Sequence, residues 1–157
     1  MKIFVGTDHA GFELKEKLIP YLISLGYEVE DLGAHEYNEG DDYPDFTIPV
    51  AREVSLHPND VKGIVLGGTG EGEAMCANRF KNVRATTFYG EVKSIAEAGE
   101  SLVKLSREHN NANILSLGAR FITEVQMMKA VSEWLETSFS GEERHVRRIY
   151  KMDHIHE

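Results

Sequence analysis

The sequence predicts one α/β domain built on a doubly wound parallel sheet. Short apolar runs alternate with longer segments of helical spacing from one end of the chain to the other, and the third apolar run ends in a glycine-rich loop. Alternating strands and helices require right-handed crossovers, and these bury a parallel sheet on both faces. No repeat, low-complexity segment or linker interrupts the alternation, and 157 residues can bury a core without staples.

Residues 2–7 read as the first strand, and residues 11–25 as a helix with Leu14, Leu18, Leu22 and Leu25 at helical spacing. Gly26 closes that helix as a C-cap, and residues 27–32 form the second strand. A polar loop, residues 33–43, leads through Pro44 into a helix ending near His57-Pro58. Residues 62–66 are the third strand, residues 72–80 a helix, and residues 83–88 the fourth strand. A long helical stretch then extends to about residue 108, followed by the fifth strand at residues 113–117. Residues 124–137 are helical, with Val125, Met128, Val131, Trp134 and Leu135 expected inward. A last helix, about residues 141–155, follows Gly141 and completes a single domain spanning residues 1–157.

Composition excludes several classes of function. At 41% hydrophobic and 27% charged, the chain is neither disordered nor membrane-spanning. A formal net charge of −9 argues against nucleic-acid binding, which rests on basic surface. Cys76 is the lone cysteine, so no intrachain disulfide forms. The opening Met1-Lys2-Ile3-Phe4-Val5 run is broken by Asp8 and His9 before it reaches signal-peptide length, and a cytoplasmic protein is expected.

Chemistry concentrates in Gly67-Gly68-Thr69-Gly70-Glu71-Gly72-Glu73. Alternating glycines at a strand-to-helix turn let a ligand approach backbone amides where negative charge is favoured. A carboxylate beside such a loop suits proton transfer next to a carbonyl. The loop lacks the Lys-Ser/Thr of a P-loop and the spacing of a dinucleotide fingerprint. It reads as a phosphate or oxyanion cradle, or as a turn that only joins strand to helix. Ligands of such sheets bind beyond the strands' carboxyl ends. The sequence puts Asp8 and His9, the loop of Asp41, Asp42 and Tyr43, the glycine loop, and Arg120 there. His109-Asn110-Asn111 precedes the fifth strand, nominally at the other end, and Arg144, Arg147 and Arg148 share about one turn of the last helix. In so acidic a chain that arginine cluster suggests a phosphate clamp.

Taken together, Gly6-Thr7-Asp8-His9-Ala10-Gly11-Phe12, Asp42-Tyr43-Pro44, Gly67-Gly68-Thr69-Gly70, Ala77-Asn78-Arg79, Arg107-Glu108-His109-Asn110-Asn111-Ala112-Asn113, Leu117-Gly118-Ala119-Arg120 and Arg144-His145 resemble the ribose-5-phosphate isomerase B / galactose-6-phosphate isomerase family. The motifs occur in order over nearly the whole chain. The resemblance implies a three-layer αβα, Rossmann-like domain whose five-stranded parallel sheet runs 2-1-3-5-4. It also implies a homodimer, with a tetramer as a further assembly, sites shared between subunits with the last helix on the partner, and no metal or organic cofactor. One group of the family carries its catalytic Cys where this chain has Gly67; another uses a Glu after Gly-Gly-Ser/Thr-Gly-x-Gly, which here is Glu73.

By this resemblance the reaction is aldose–ketose isomerisation of a sugar phosphate through a cis-enediolate, with ribose 5-phosphate and ribulose 5-phosphate as the pair expected first. Glu73 is the base, His109 opens the sugar ring, and amides of Gly68, Gly70 and Gly72 with the Thr69 hydroxyl hold the enediolate. Asp8 binds sugar hydroxyls, Tyr43 lies at the rim, Asn110 contacts substrate, and Arg144 and Arg148 grip the phosphate with the substrate-binding His9 and Arg120 nearby. Each residue also has a plainer reading. Glu73 is then a first-turn carboxylate, Asp8 a cap, His9 a surface ring, His109 a core histidine, Arg120 a loop brace, and the arginines a solvated face. Cys76 reads as a buried helix residue, and the Asp153-His154-Ile155-His156-Glu157 stretch as a tail without metal. Residues 86–106 form a longer connection than is usual in the family, which bears on substrate choice. Allose 6-phosphate, galactose 6-phosphate or a tetrose phosphate is the alternative substrate. A noncatalytic sugar-phosphate-binding module is the alternative class, and it would have no need of Glu73.

Overall fold

The structure is a computed structural model that describes residues 1–92 and 101–155. Five strands, β1 (Lys2–Thr7), β2 (Glu28–Asp31), β3 (Val61–Gly67), β4 (Ala85–Phe88) and β5 (Ile114–Gly118), form one parallel sheet in the order β2-β1-β3-β5-β4. The helices are α1 (Phe12–Ser24), α2 (Tyr43–Leu56), α3 (Glu71–Ala77), α4 (Leu102–Asn110), α5 (Glu124–Glu136) and α6 (Glu143–Asp153), and a 3-10 turn (His9–Gly11) precedes α1. This is the expected α/β architecture and strand order.

Period-two alternation decides what each strand gives to each face. Ile3, Val5, Ile64, Leu66, Leu115 and Leu117 pack with Leu18 and Leu22 of α1, Val103 of α4, and Met127, Val131 and Trp134 of α5. Phe4, Val65 and Ile114 point the other way, against Val50, Ala51 and Val54 of α2 and Ala77 of α3. Two cores thus clamp the sheet and fix the height of the strand ends. A capping box starts α5, in which the Thr123 hydroxyl and the Gln126 side chain each bond the other's backbone N–H.

Some expectations need correction. Val125 is 76% exposed, and Met127 is buried in its place. Nine residues separate Val125 from Trp134, about half a revolution at ~100° per residue, so the two point in opposite directions. Leu25 is exposed because it lies past the last residue of α1. The third helix stops at Ala77 rather than residue 80, since Asn78 leaves it to bond both the N–H and the carbonyl of Ala85 at 2.8 and 3.1 Å. β4 likewise starts at Ala85, because the Asn113 side chain takes the Arg84 N–H at 2.8 Å. In the connection expected at residues 86–106, residues 93–100 lie outside the described residues, as do His156 and Glu157 of the tail. Helix α4 begins at Leu102, where the Ser101 hydroxyl accepts the Lys104 N–H. Among the described residues no helix is long and apolar enough to cross a membrane. Helix α6 buries only His145 and leaves Val146, Tyr150 and Met152 exposed.

Candidate active site

The sheet order reverses direction between β1 and β3, which makes the crevice beyond their carboxyl ends the switch point where ligands of such sheets bind. Thr7 pairs with Leu66 and Gly67 with Gly118, so Asp8, the glycine loop and the loop of Arg120 leave the sheet at one height.

Glu73 stands in the first turn of α3 and is 4% exposed. Its carboxylate lies directly over Gly67: a Cβ added there would sit 1.6 Å from Oε1 and 2.1 Å from Cδ. The space that a side chain at position 67 would fill is the space the carboxylate occupies, so glycine is required there while Glu73 keeps this pose. Burial pushes the Glu73 carboxyl above its ordinary value against a bond from its own N–H, and the charge of Asp8 adds to the rise. A raised carboxyl is a stronger base, in the direction that general-base work requires.

Around it the loop is held from several sides. Gly70 has φ +79°, a left-handed conformation that favours glycine, and the Ser116 hydroxyl donates to its carbonyl at 2.5 Å. The Tyr43 ring, at the start of α2, lies against Gly72, so tightly that a Cβ there would be 2.9 Å from the ring. The Thr69 hydroxyl oxygen accepts the Glu71 N–H at 3.2 Å, which leaves the hydroxyl hydrogen to be donated elsewhere. Arg120 donates its backbone N–H to Gly68 O at 3.1 Å, and its guanidinium lies within 3.4 Å of where a Gly68 Cβ would be.

Asp8 caps the 3-10 turn, accepting the Ala10 N–H at 2.9 Å, and is 7% exposed. Burial raises its carboxyl above the ordinary value, opposed by the Ala10 bond and the charge of His9. His9 Nδ1 is 2.7 Å from Asp41 Oδ1, and that oxygen also accepts the His9 backbone N–H at 3.0 Å. The bond to Asp41 raises the His9 imidazole above its ordinary value, while Arg120 acts in the opposite sense. Asp8, His9 and Asp41 bring one donor atom each within 4.8 Å of one another. Cys76, one turn beyond Glu73 in α3, is only partly buried, and burial and the Glu73 charge hold it as a thiol.

The remaining sequence candidates collect elsewhere. His109 and Asn110 end α4, before β5 begins, at the edge of the sheet opposite Gly118. A five-residue strand rises about 16 Å, which separates them from Glu73 within one chain. The His109 ring lies 4.3 Å from that of buried His145, whose Nδ1 is 3.0 Å from Ser140 Oγ. Burial, with the charges of His109 and Arg144 after it, pushes the His145 imidazole down. Arg144 pairs with Glu142 at 2.8 Å, and Arg148 is exposed on the same helix. A groove of ≈ 620 Å³ at this edge is lined by residues that include Arg79, Arg84, Asn110 and Asp153. The single chain therefore assembles Asp8, His9, Tyr43, the glycine loop, Glu73 and Arg120, and holds His109, Asn110, Arg144 and Arg148 apart from them.

Two contacts were not legible from sequence: the grip of Asp41 on His9, and His145 beneath His109. The loop holding Asp41 was in view, but no spacing singles out one carboxylate within it.

Residues 3–152 match the family described as Ribose/Galactose Isomerase. Ribose-5-phosphate isomerase B of Mycobacterium tuberculosis is 38% identical over 149 residues, covering 95% of this chain and 86% of that protein. Two solved structures superpose closely. That of ribose-5-phosphate isomerase B from Mycoplasma genitalium with bound ribulose-5-phosphate has a TM-score of 0.89 at 36% identity, covering 98% of this chain and 95% of that one. The Clostridium thermocellum ribose-5-phosphate isomerase B structure has a TM-score of 0.86 at 39% identity, over 99% and 97% of the two chains.

Proposed function

The chain belongs to the ribose/galactose isomerase family, and on that premise we propose that it is an aldose–ketose isomerase interconverting ribose 5-phosphate and ribulose 5-phosphate. The observation that carries this reading is the buried Glu73 carboxylate lying over Gly67 at the switch point of the sheet. A site that only held a phosphate would gain nothing from a carboxylate in that place.

The reaction begins with ring opening, since a cyclic hemiacetal has no carbonyl to acidify the neighbouring C–H. His109 of a second protomer donates a proton to the ring oxygen as its bond to the anomeric carbon breaks and the anomeric hydroxyl releases its proton to water, and Asp8 holds the sugar hydroxyls. Glu73 then takes the proton from the carbon beside the carbonyl. Negative charge moves onto the carbonyl oxygen, where amides of Gly68, Gly70 and Gly72 and the Thr69 hydroxyl stabilise the cis-enediolate. The protonated Glu73 returns its proton to the adjacent carbon while the hydroxyl proton on the neighbouring oxygen passes to the enediolate oxygen, completing the exchange of aldehyde for ketone. Tyr43 closes the rim over Gly72. His9 and Arg120, with Asn110, Arg144 and Arg148 from the second protomer, bind the distal part of the substrate and supply orientation.

A homodimer is part of the proposal. The separation of His109, Arg144 and Arg148 from Glu73 supports it, as does an α6 that buries one residue and exposes Val146, Tyr150 and Met152. An isologous interface repeats each contact and makes two equivalent sites from opposite halves. The reading includes the cytoplasmic setting expected from sequence. The test is ribose 5-phosphate in deuterated water with proton NMR. Appearance of ribulose 5-phosphate carrying solvent deuterium beside its carbonyl is the expected result; binding without turnover would overturn the isomerase reading.

A further inference from the structure

An anion site is a poor place for a carboxylate, yet Asp41 sits beside His9 in the part of the crevice assigned above to phosphate. Its contacts explain why. Asp41 Oδ1 takes both the His9 backbone N–H, at 3.0 Å, and His9 Nδ1, at 2.7 Å. The Asp41 side chain is 8% exposed, and its second oxygen, Oδ2, is buried without a hydrogen-bond partner among the described residues. A carboxylate with half its accepting capacity unused is costly to bury unless a neighbouring cation offsets the charge. Among the described residues, both hydrogen bonds that the side chain makes go to His9. Tyr37, from the same loop, packs edge-on to the ring at 6.3 Å and 85°, which restricts its tilt.

We propose that Asp41 is a positioning residue for the reaction, fixing His9 with Nδ1–H directed at Asp41 so that Nε2–H is presented as a charged donor to the phosphate of the substrate. This rests on the isomerase reading for the substrate, but not for the state of His9. The groups that face His9 are Asp8 and Asp41, which favour its protonation, and Arg120, which opposes it. The protonated imidazole offsets one of the two neighbouring carboxylates and the Arg120 guanidinium the other, and a phosphate entering the site meets a cation. A charge-assisted bond to phosphate is about twice as strong as a neutral one. Binding should therefore depend on Asp41 although Asp41 itself touches no substrate.

The conservative variant Asp41→Asn keeps an oxygen for both His9 contacts and removes the charge. The expected kinetic result is a KM for ribose 5-phosphate raised ~5-fold at about pH 8, with kcat unchanged. The difference should shrink toward about pH 6, where His9 is protonated in both proteins. Phosphate titration is common to both and cancels in the comparison. A KM increase that is the same at every pH, or one accompanied by an equal loss of kcat, would assign Asp41 a structural role and overturn the proposal; so would a KM equal to wild type across the range. A second measurement needs no turnover and no change at Asp41. The His9 ring proton is followed by NMR titration in the wild-type protein, identified by its loss in His9→Asn, without and with inorganic phosphate. A midpoint above the ordinary value of about 6.5, rising further with phosphate, is expected. A midpoint at or below that value contradicts the proposal even if the protein proves not to be an isomerase. Absence of wild-type turnover with a raised His9 midpoint would sink the isomerase reading alone.

Discussion

Replacing Gly67 with alanine is the smallest change that attacks the proposed base without touching it. The new methyl carbon would stand 1.6 Å from Glu73 Oε1, where real contacts essentially never fall below 3.0 Å. The carboxylate must therefore retreat by at least 1.4 Å, and the methyl occupies the place it leaves. Misplacing a reacting group by ~1 Å costs about 10²-fold, and a positioned general base is worth roughly 10²–10⁴-fold in all. Gly67→Ala should accordingly lower kcat by ~100-fold or more. KM should stay within about threefold, because the charged contacts proposed for the phosphate do not involve position 67. Initial rates of ribulose 5-phosphate formation measure both, and a thermal melt checks that the fold survives. A well-folded Gly67→Ala enzyme retaining more than about a third of wild-type kcat would refute the reasoning, because the base would then not be where the chemistry is.

Other expectations follow from the same geometry. Mixing Glu73→Gln chains with Arg144→Ala/Arg148→Ala chains after dissociation should restore activity in the heterodimers, since one pocket collects both lesions and the other is intact; no recovery with heterodimers present would refute the shared site. The Glu73 carboxyl is raised in the folded state, so the folded protein binds this proton more tightly than the unfolded chain does. Its contribution to stability is fully present below the unfolded carboxyl's value and is lost as pH rises through the folded one. Glu73→Gln, which has no charge to bury, should therefore melt higher than wild type at neutral pH, with the gain vanishing in acid; a variant that melts lower at neutral pH would contradict this. For the same reason the acid limb of kcat/KM should fall above the ordinary Glu range of about 4.3, and a limb at or below that value would count against Glu73 as base. Cys76→Ala should leave turnover near wild type, and a large loss without unfolding would move the chemistry to the thiol.

The fold was legible because the apolar residues of β1, β3 and β5 alternate between two cores, and because Gly26 and the glycine loop punctuate the helices. Val125 and Leu25 misled for a shared reason. An apolar residue near a helix end satisfies the composition of a stripe without lying over the sheet, and only the angle to Trp134 or the end of α1 reveals it. The boundaries at Ala77 and Ala85 were set by the side chains of Asn78 and Asn113, long-range contacts that local periodicity does not encode. At the site, Asp8, His9, the glycine loop, Glu73 and Arg120 could be placed together from chain order alone, since each follows a parallel strand. The role of Asp41 could not, because a loop residue's partner is decided by how the loop closes. His109 and the arginines fall at the opposite edge, so from one chain they read as a separate cluster.

The central claim is that Glu73 moves the proton between neighbouring carbons of a sugar phosphate. Its most direct test follows solvent-deuterium incorporation into ribose 5-phosphate and ribulose 5-phosphate by wild type and Glu73→Gln in deuterated water, at saturating substrate. The account predicts that both exchange and isomerisation fall together by ~10²–10⁴-fold in Glu73→Gln, while binding of substrate, read by its NMR line broadening, persists. Exchange or isomerisation at the wild-type rate in Glu73→Gln would show that another group carries the proton.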